Sequence, residues 1–320
     1  MSTIDPENIY DVAVILVNYN SSQYTVGCIS SIIDRTDPSI NYGIVVVDNA
    51  SEPDDYEALK SSTETFDNRV PLKLFRSRIN TGFASGNMMG IQFIKAKYYF
   101  ILNNDCRLQN DCLGILYDFC EHRPDTALCS PQLYNEKDEH QPCFDYFPYI
   151  TTKIFGLGIL SLSYGKRYIK RKDTYETPVQ VDVVSGSQMF VRASVFDTLG
   201  GLDTSFFLYC EEEDFAMRVA NAGFETWLVP EAKNTHKGGG STAPSLAIRK
   251  EFYISFLYFY RKHFGFIKQQ LLKLILTLRL LRKGIGNMDN MRLAAFVASG
   301  AHMKHSLKHQ QTVKELASNL

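Results

Sequence analysis

The chain has no CxxC pair and no cysteine–histidine spacing that suits zinc, which argues against a zinc ribbon or a dithiol redox motif. Its seven cysteines (Cys28, Cys106, Cys112, Cys120, Cys129, Cys143 and Cys210) are an odd number scattered through apolar stretches. They read as reduced, buried thiols of a cytosolic protein rather than a disulfide framework. Met1 to Asp11 carries three acids and no apolar core, so no signal peptide is expected. Glycine is missing where many nucleotide folds need it. The first apolar run, Val12 to Val17, is followed by Asn18-Tyr19-Asn20-Ser21-Ser22, which excludes G-x-G-x-x-G and a Walker loop at that point. The glycine- and arginine-rich first loop of sugar nucleotidyltransferases is missing for the same reason.

The remainder is ordinary for a globular protein of 320 residues, with 45% hydrophobic and 22% charged side chains. A net charge of −1 conceals an asymmetry: from Lys233 onward there are 15 Lys and Arg against three acids, so +12 there and −13 in residues 1 to 232. An acidic body is a poor nucleic-acid surface. The basic tail calls for another explanation.

Continuous apolar runs that stop in polar clusters dominate the first third. Val12–Val17 ends in Asn18 and Asn20, Ile44–Val47 ends in Asp48 and Asn49, and Tyr98–Leu102 ends in Asn103, Asn104 and Asp105. Such runs are buried parallel strands. Between them lie a helix capped by Ser21 or Ser22, a helix from Glu52 to Lys60, a weaker strand Leu72–Phe75, and a helical stretch after Asn87 to about Ala96. The pattern predicts an α/β fold with a mostly parallel, Rossmann-like sheet and helices on both faces. Ligands bind beyond the carboxyl ends of such strands. Asn and Asp are common in caps and loops, but three coincident clusters at one sheet edge point to a polar ligand such as a nucleotide. Asp105 makes Mg or Mn the natural partner for its phosphates.

Further on, Asn110 or Asp111 caps a helix reaching about His122, Ala127–Tyr134 is a strand, and residues 135 to 180 form a tyrosine-rich, partly basic insert (Lys166, Arg167, Lys170, Arg171, Lys172) read as loop or hairpin. Val181–Val191 is a strand pair. Glu211-Glu212-Glu213-Asp214 opens a helix that ends at Gly223, with Asp214 and Arg218 an i,i+4 pair. The helix dipole favours acids there, yet four adjacent carboxylates repel, and a general base or a metal would account for holding them together. Thr226–Pro230 is a strand, and Thr235 to Ser241 a glycine-rich loop containing His236. In the tail, Ile267, Leu271, Leu274, Ile275, Leu278 and Leu281 recur at helical spacing, with Lys268, Arg279, Arg282 and Lys283 to one side. The segment is too short and too charged to span a bilayer, which needs about 20 apolar residues. Two readings stay open: an amphipathic helix on an anionic membrane surface, or a helix packed on the catalytic domain or on a second subunit in a homodimer. His302, His305 and His309 read as a solvated helix face rather than a metal site.

Together these segments resemble the inverting family 2 glycosyltransferases of the GT-A fold, and within them the rhamnosyltransferase-like enzymes of bacterial O-antigen and cell-surface polysaccharide assembly. The matching stretches are Val17-Asn18-Tyr19-Asn20, Val47 to Ser51, Asn80 to Asn87, Leu102 to Asp105, Ser185-Gly186 with Met189 and Arg192, Gly200 to Asp203 through Phe206-Phe207, Glu211 to Asp214 with Arg218, and His236 with Ser241. The resemblance implies that Val17, Tyr19 and Asp48 hold the base and ribose of a nucleotide sugar, and that Asn80, Gly82, Asn87 and Asn104 complete that pocket. Asp105, last in a D-x-D-like motif reading Asn103-Asn104-Asp105, and His236 would hold the Mn or Mg ion. Glu212 takes the base position, with Glu211 as the alternative. It implies residues 1–110 as a nucleotide-sugar-binding half, 111–243 as an acceptor and catalytic half, and 244–320 as a basic helical extension. The expected donor is dTDP-rhamnose or a UDP-hexose and the expected acceptor a lipid-linked oligosaccharide or polysaccharide. The expected location is the cytoplasm, with peripheral contact at the inner membrane. A sugar nucleotidyltransferase and an inactive nucleotide-sugar binder are the alternatives.

Overall fold

The computed structural model describes residues 4–5, 7–66, 68–160, 164–165, 168–238 and 245–314. Lys166 and Arg167 of the basic insert, and Gly239, Gly240 and Ser241 of the glycine-rich loop, lie outside the described residues. In chain order the elements are β1 (Ile9–Asn18), α1 (Ser22–Arg35), β2 (Tyr42–Asp48), α2 (Pro53–Glu64), β3 (Leu72–Arg76), α3 (Gly82–Ile91), β4 (Lys95–Asn103), β5 (Cys106–Leu108), α4 (Cys112–Glu121) and β6 (Thr126–Tyr134). There follow β7 (His140–Gln141), β8 (Phe144–Asp145), α5 (Ile150–Phe155), β9 (Val179–Gln180), β10 (Val183–Val184), β11 (Gln188–Arg192), α6 (Ala193–Thr198), α7 (Glu211–Asn221), β12 (Glu225–His236), α8 (Leu246–Lys283) and α9 (Met288–Ala298).

One sheet runs through the molecule in the order β3-β2-β1-β4-β11-β6-β12-β5, with β7 beside β6 and β9 beside β12. The pairs among β3, β2, β1 and β4 are parallel, β11 is antiparallel to both its neighbours, and β6 and β12 are again parallel. The apolar runs are continuous because both faces are covered. In β1, Val12, Val14 and Leu16 pack on one face with α1 and α4 residues, and Ala13 and Ile15 pack on the other with α3 and α7 residues. Parallel pairing fixes the edge that matters: Asn18 lies opposite Asp48, and Val17 opposite both Val47 and Asn103. All seven cysteines are buried and free.

Several boundaries differ from expectation. The helix after Asn87 ends at Ile91, and Ala96 already belongs to β4, paired with Tyr10; pairing with the start of β1 overrides local helix preference. Among its described residues the insert 135–180 holds three two-residue strands, the short helix α5 and a 3-10 turn at Leu157–Ile159. Thr235 and His236 are strand, not loop, because β12 continues past Pro230 to pair with β5. His302, His305 and His309 lie at or beside two short 3-10 turns instead of on one α-helix face.

The long helix α8 is broken at Gly265, whose φ of 82° leaves helical geometry. Its first part clamps the body: Lys262 Nζ lies 2.7 Å from Asp203 Oδ2 and 2.6 Å from Asp214 Oδ1. Burial pushes Asp203 up, but hydrogen bonds from Lys262 and Ser205 outweigh it and hold the carboxyl at about 2 against its usual 3.8. A depressed carboxyl stabilises the fold above its unfolded value and loses that contribution as pH falls from about 4 to about 2. Asp203→Asn should therefore lower unfolding free energy by about 2 kcal/mol at neutral pH. The gap to wild type should close by about pH 2, read from urea midpoints across pH.

Candidate active site

Residues at the carboxyl ends of β1, β2 and β4 help line a cavity of about 630 Å³ that is completed by the entry to α3 at 80–83, the segment 207–209, the first turn of α8 and the C-terminal segment. Part of the polar chemistry at that edge is scaffold. Asn18 Nδ2 donates to Asp48 Oδ1, Ser51 Oγ and Asp55 Oδ2, each at 3.0 Å, while its Oδ1 accepts from Thr25 at 2.8 Å. Asn104 Nδ2 donates to Ser21 Oγ at 2.7 Å and Thr25 Oγ1 at 2.8 Å. Ser21 therefore serves this network and does not cap α1 with its side chain; Ser22 N at the same end donates to Asp55 Oδ1 instead.

Asn49 does the joining. Its Nδ2 donates to Asn80 Oδ1 and Gly82 O, and its Oδ1 accepts from Thr81 N and Oγ1. Gly82 adopts φ +81°, and a Cβ there would lie 2.2 Å from Phe207 O, so only glycine lets Phe83 N reach Phe207 O at 2.8 Å. That bond ties the start of α3 to the segment leading into α7.

Asp105 and His236 meet because β5 pairs antiparallel with the end of β12, His236 opposite Cys106. His236 Nε2 lies 3.1 Å from Asp105 Oδ1, and both line the cavity. Donor atoms of Asp105, Cys106 and His236 fall within 4.8 Å of one another. Burial pushes the Cys106 thiol well above its usual range, and it donates to Ser187 O, so a carboxylate and an imidazole are the available ligands. Among the described lining residues there is no lysine or arginine. A diphosphate entering here needs a counter-charge, and one carboxylate with one imidazole, leaving other positions open, fits a divalent cation of the Mn type.

The acidic cluster starts just beyond the cavity wall. Tyr209 and Cys210 both hold left-handed backbone, with φ 74° and 69°, a strained pair of the kind that gathers at functional turns, and α7 begins at once with Glu211. Glu211 is buried, and Glu212 packs against Gly186, where a Cβ would sit 3.1 Å from its Cδ. Among the described residues Glu211 Oε2 and Glu213 Oε2 have no hydrogen-bond partner. Burial pushes both carboxyls well above the ordinary range, with repulsion from Glu212 adding to it. Burial raises Glu212 too, but backbone hydrogen bonds at Glu212 and Gly186 and one from the Glu213 carboxyl oppose the rise. All three glutamates at the start of α7 are thus raised above the ordinary carboxylate range, chiefly by burial. Asp214 is different: burial raises it, yet His263, Lys262 and Arg218 outweigh this and lower it. It anchors α7 to α8.

Of the residues singled out from sequence, Val17, Tyr19, Asn80, Gly82, Asn104, Asp105 and His236 line the cavity. Asp48 and Asn87 are buried behind its wall, Asp48 bound by Asn18 and Ser51 and Asn87 Nδ2 donating to Phe83 O. Glu211 and Glu212 flank the cavity without lining it. Sequence reasoning gave no role of its own to Asn49, which lies within the quoted stretch Val47 to Ser51, or to Tyr209, which lies just before the acidic cluster, and passed over Leu307 and Gln311, which no sequence signal marks. The latter two reach the cavity because Glu251 accepts from Ser306 Oγ and Leu307 N, and Lys314 N donates to Arg78 O.

Rhamnosyltransferase WbbL of Escherichia coli is 31% identical over 164 residues, which are 47% of this chain and 58% of that protein. Low-salt glycan biosynthesis hexosyltransferase Agl10 of Haloferax volcanii is 26% identical over 213 residues, 65% of this chain and 61% of that protein. The chain thus spans about three fifths of the length of these relatives. The mannosyltransferase PcManGT from Pyrobaculum calidifontis, solved with GDP-Man and Mn2+, superimposes with a TM-score of 0.57 at 15% identity, covering 93% of this chain and 78% of that one. The shared architecture is the GT-A fold. Residues 13–200, more than half of the sequence, match Glycosyl transferase family 2, and the chain belongs to that family.

Proposed function

We propose that this protein is a divalent-metal-dependent, inverting glycosyltransferase. In this reading it moves a sugar from a nucleoside diphosphate donor, dTDP-rhamnose or a UDP-hexose, to a lipid-linked oligosaccharide or polysaccharide acceptor. The observation that carries the reading is a cavity whose lining holds a carboxylate–imidazole pair but no described lysine or arginine, flanked by a carboxylate cluster from the other half of the chain. The acceptor chemistry suits a cytoplasmic enzyme with peripheral contact at the inner face of the plasma membrane.

Tyr19, Val17 and the Asn49–Asn80 pair offer an aromatic ring, an apolar wall and amides to a base and ribose. Asp105 and His236 would hold Mn or Mg, which supplies charge neutralisation at the leaving diphosphate. Glu212, packed against Gly186, accepts the proton of the acceptor hydroxyl; that oxygen attacks the anomeric carbon as the diphosphate leaves from the opposite face. One displacement inverts the centre.

A panel of nucleotide sugars with Mn present, read by thermal shift, tests the donor half of the reading. One or two donors should raise Tm only with the metal. Equal shifts by nucleoside triphosphates, with pyrophosphate released from triphosphate plus sugar phosphate, would favour a nucleotidyltransferase instead.

A further inference from the structure

Beyond Gly265 the long helix changes character. Residues 246–264 bury one side against the body, whereas in 266–283 only Leu272 and Leu280 are buried. Ile267, Leu271, Leu274, Leu278, Leu281 and Ile285 are all exposed, Ile267 by 82%. At 100° per residue the five of these within the helix fall within an arc of about 80°, with Leu272 and Leu280 on the opposite side, and Ile285 follows in the turn after the helix. The helix is thus apolar on two faces, one of them in solvent, which a free-standing soluble protein avoids. The patch continues onto α5: Arg279 donates to the carbonyl of Lys153, and the next two side chains, Ile154 and Phe155, are exposed, Phe155 by 69%.

Charge selects what covers it. Residues 261–292 hold eight Lys and Arg against one acid, Asp289, and exposed Lys268, Arg279, Arg282 and Lys283 run along one flank of the stripe. A two-fold dimer through this face would set seven net positive charges against seven more. An anionic lipid surface neutralises them. Among the described residues no helix is long and apolar enough to cross a membrane. We propose that Ile154, Phe155 and the outward stripe of residues 267–285 form one face that seats in the headgroup layer of an anionic membrane. The inference gives the peripheral contact proposed above a defined surface, and its readout needs no donor.

The full chain should float with phosphatidylcholine vesicles containing phosphatidylglycerol, release with added salt, and ignore pure phosphatidylcholine. The double variant L274E/L278E, altered only at exposed positions, should lose about tenfold or more in bound fraction. R282E/K283E should lose the preference for anionic lipid, and all forms should keep the wild-type Tm and its donor-induced shift. Wild-type indifference to phosphatidylglycerol, or undiminished flotation of L274E/L278E, overturns the proposal. So does a wild-type dimer in light scattering that L274E/L278E converts to monomer, which would assign the face to a second copy.

Discussion

Glu212→Gln is expected to lower turnover by about a thousandfold while leaving donor affinity unchanged, because the amide keeps the shape of the side chain but cannot accept the acceptor's proton. Single-turnover transfer separates the two quantities, and metal-dependent binding of the donor should match wild type. Glu211→Gln and Glu213→Gln should cost far less, since in this reading Glu212 alone takes up the acceptor's proton. The pH profile gives a second readout. Glu212 is active when ionised and its pKa is raised by burial, so kcat/KM should fall as pH drops through that raised value. The falling limb should be absent from whatever activity Glu212→Gln retains. A near-normal rate in Glu212→Gln, with loss in Glu211→Gln, moves the base by one residue along α7.

Asp105→Asn is expected to abolish the Mn-dependent stabilisation by nucleoside diphosphate, which for wild type at a hundredfold excess over Kd is worth about 2.7 kcal/mol. Asparagine preserves volume, so the fold should persist and the loss reports charge alone. Among the described residues the only groups gathered with Asp105 are Cys106 and His236, so no second carboxylate of that cluster replaces the missing one. His236→Ala, which removes a neutral ligand, should weaken metal binding and leave it measurable. Retention of the full Mn-dependent shift in Asp105→Asn would show that the diphosphate is neutralised elsewhere.

The parts of this site that could be read from sequence are those written as long runs. β1, β2 and β4 are buried on both faces, so their apolar stretches are unbroken and the polar residues after them stand out at one edge. The acids at the start of α7 are equally plain. What escaped has a physical reason in each case. β5 is three residues long and shows no periodicity, yet it brings His236 to Asp105. Asn18, Asp48 and part of Asn104 look like ligands in sequence, whereas much of their capacity goes into bracing loops, a distinction set by which way each amide points. The wall formed by Leu307 and Gln311 depends on buried Glu251 seizing the chain more than fifty residues on, a contact that local pattern does not encode.

The placement of β5 bears on how relatives could be recombined. Its three pairs, Cys106 with His236, Arg107 with Thr235 and Leu108 with Asn234, hold the last residues of the N-terminal segment against the far side of the sheet. A chimera joined near residue 110 would draw its carboxylate from one parent and its imidazole from the other. Donor preference would then travel intact only if both parents keep those three pairs in step, so a graft must carry the β12 end together with the first hundred residues.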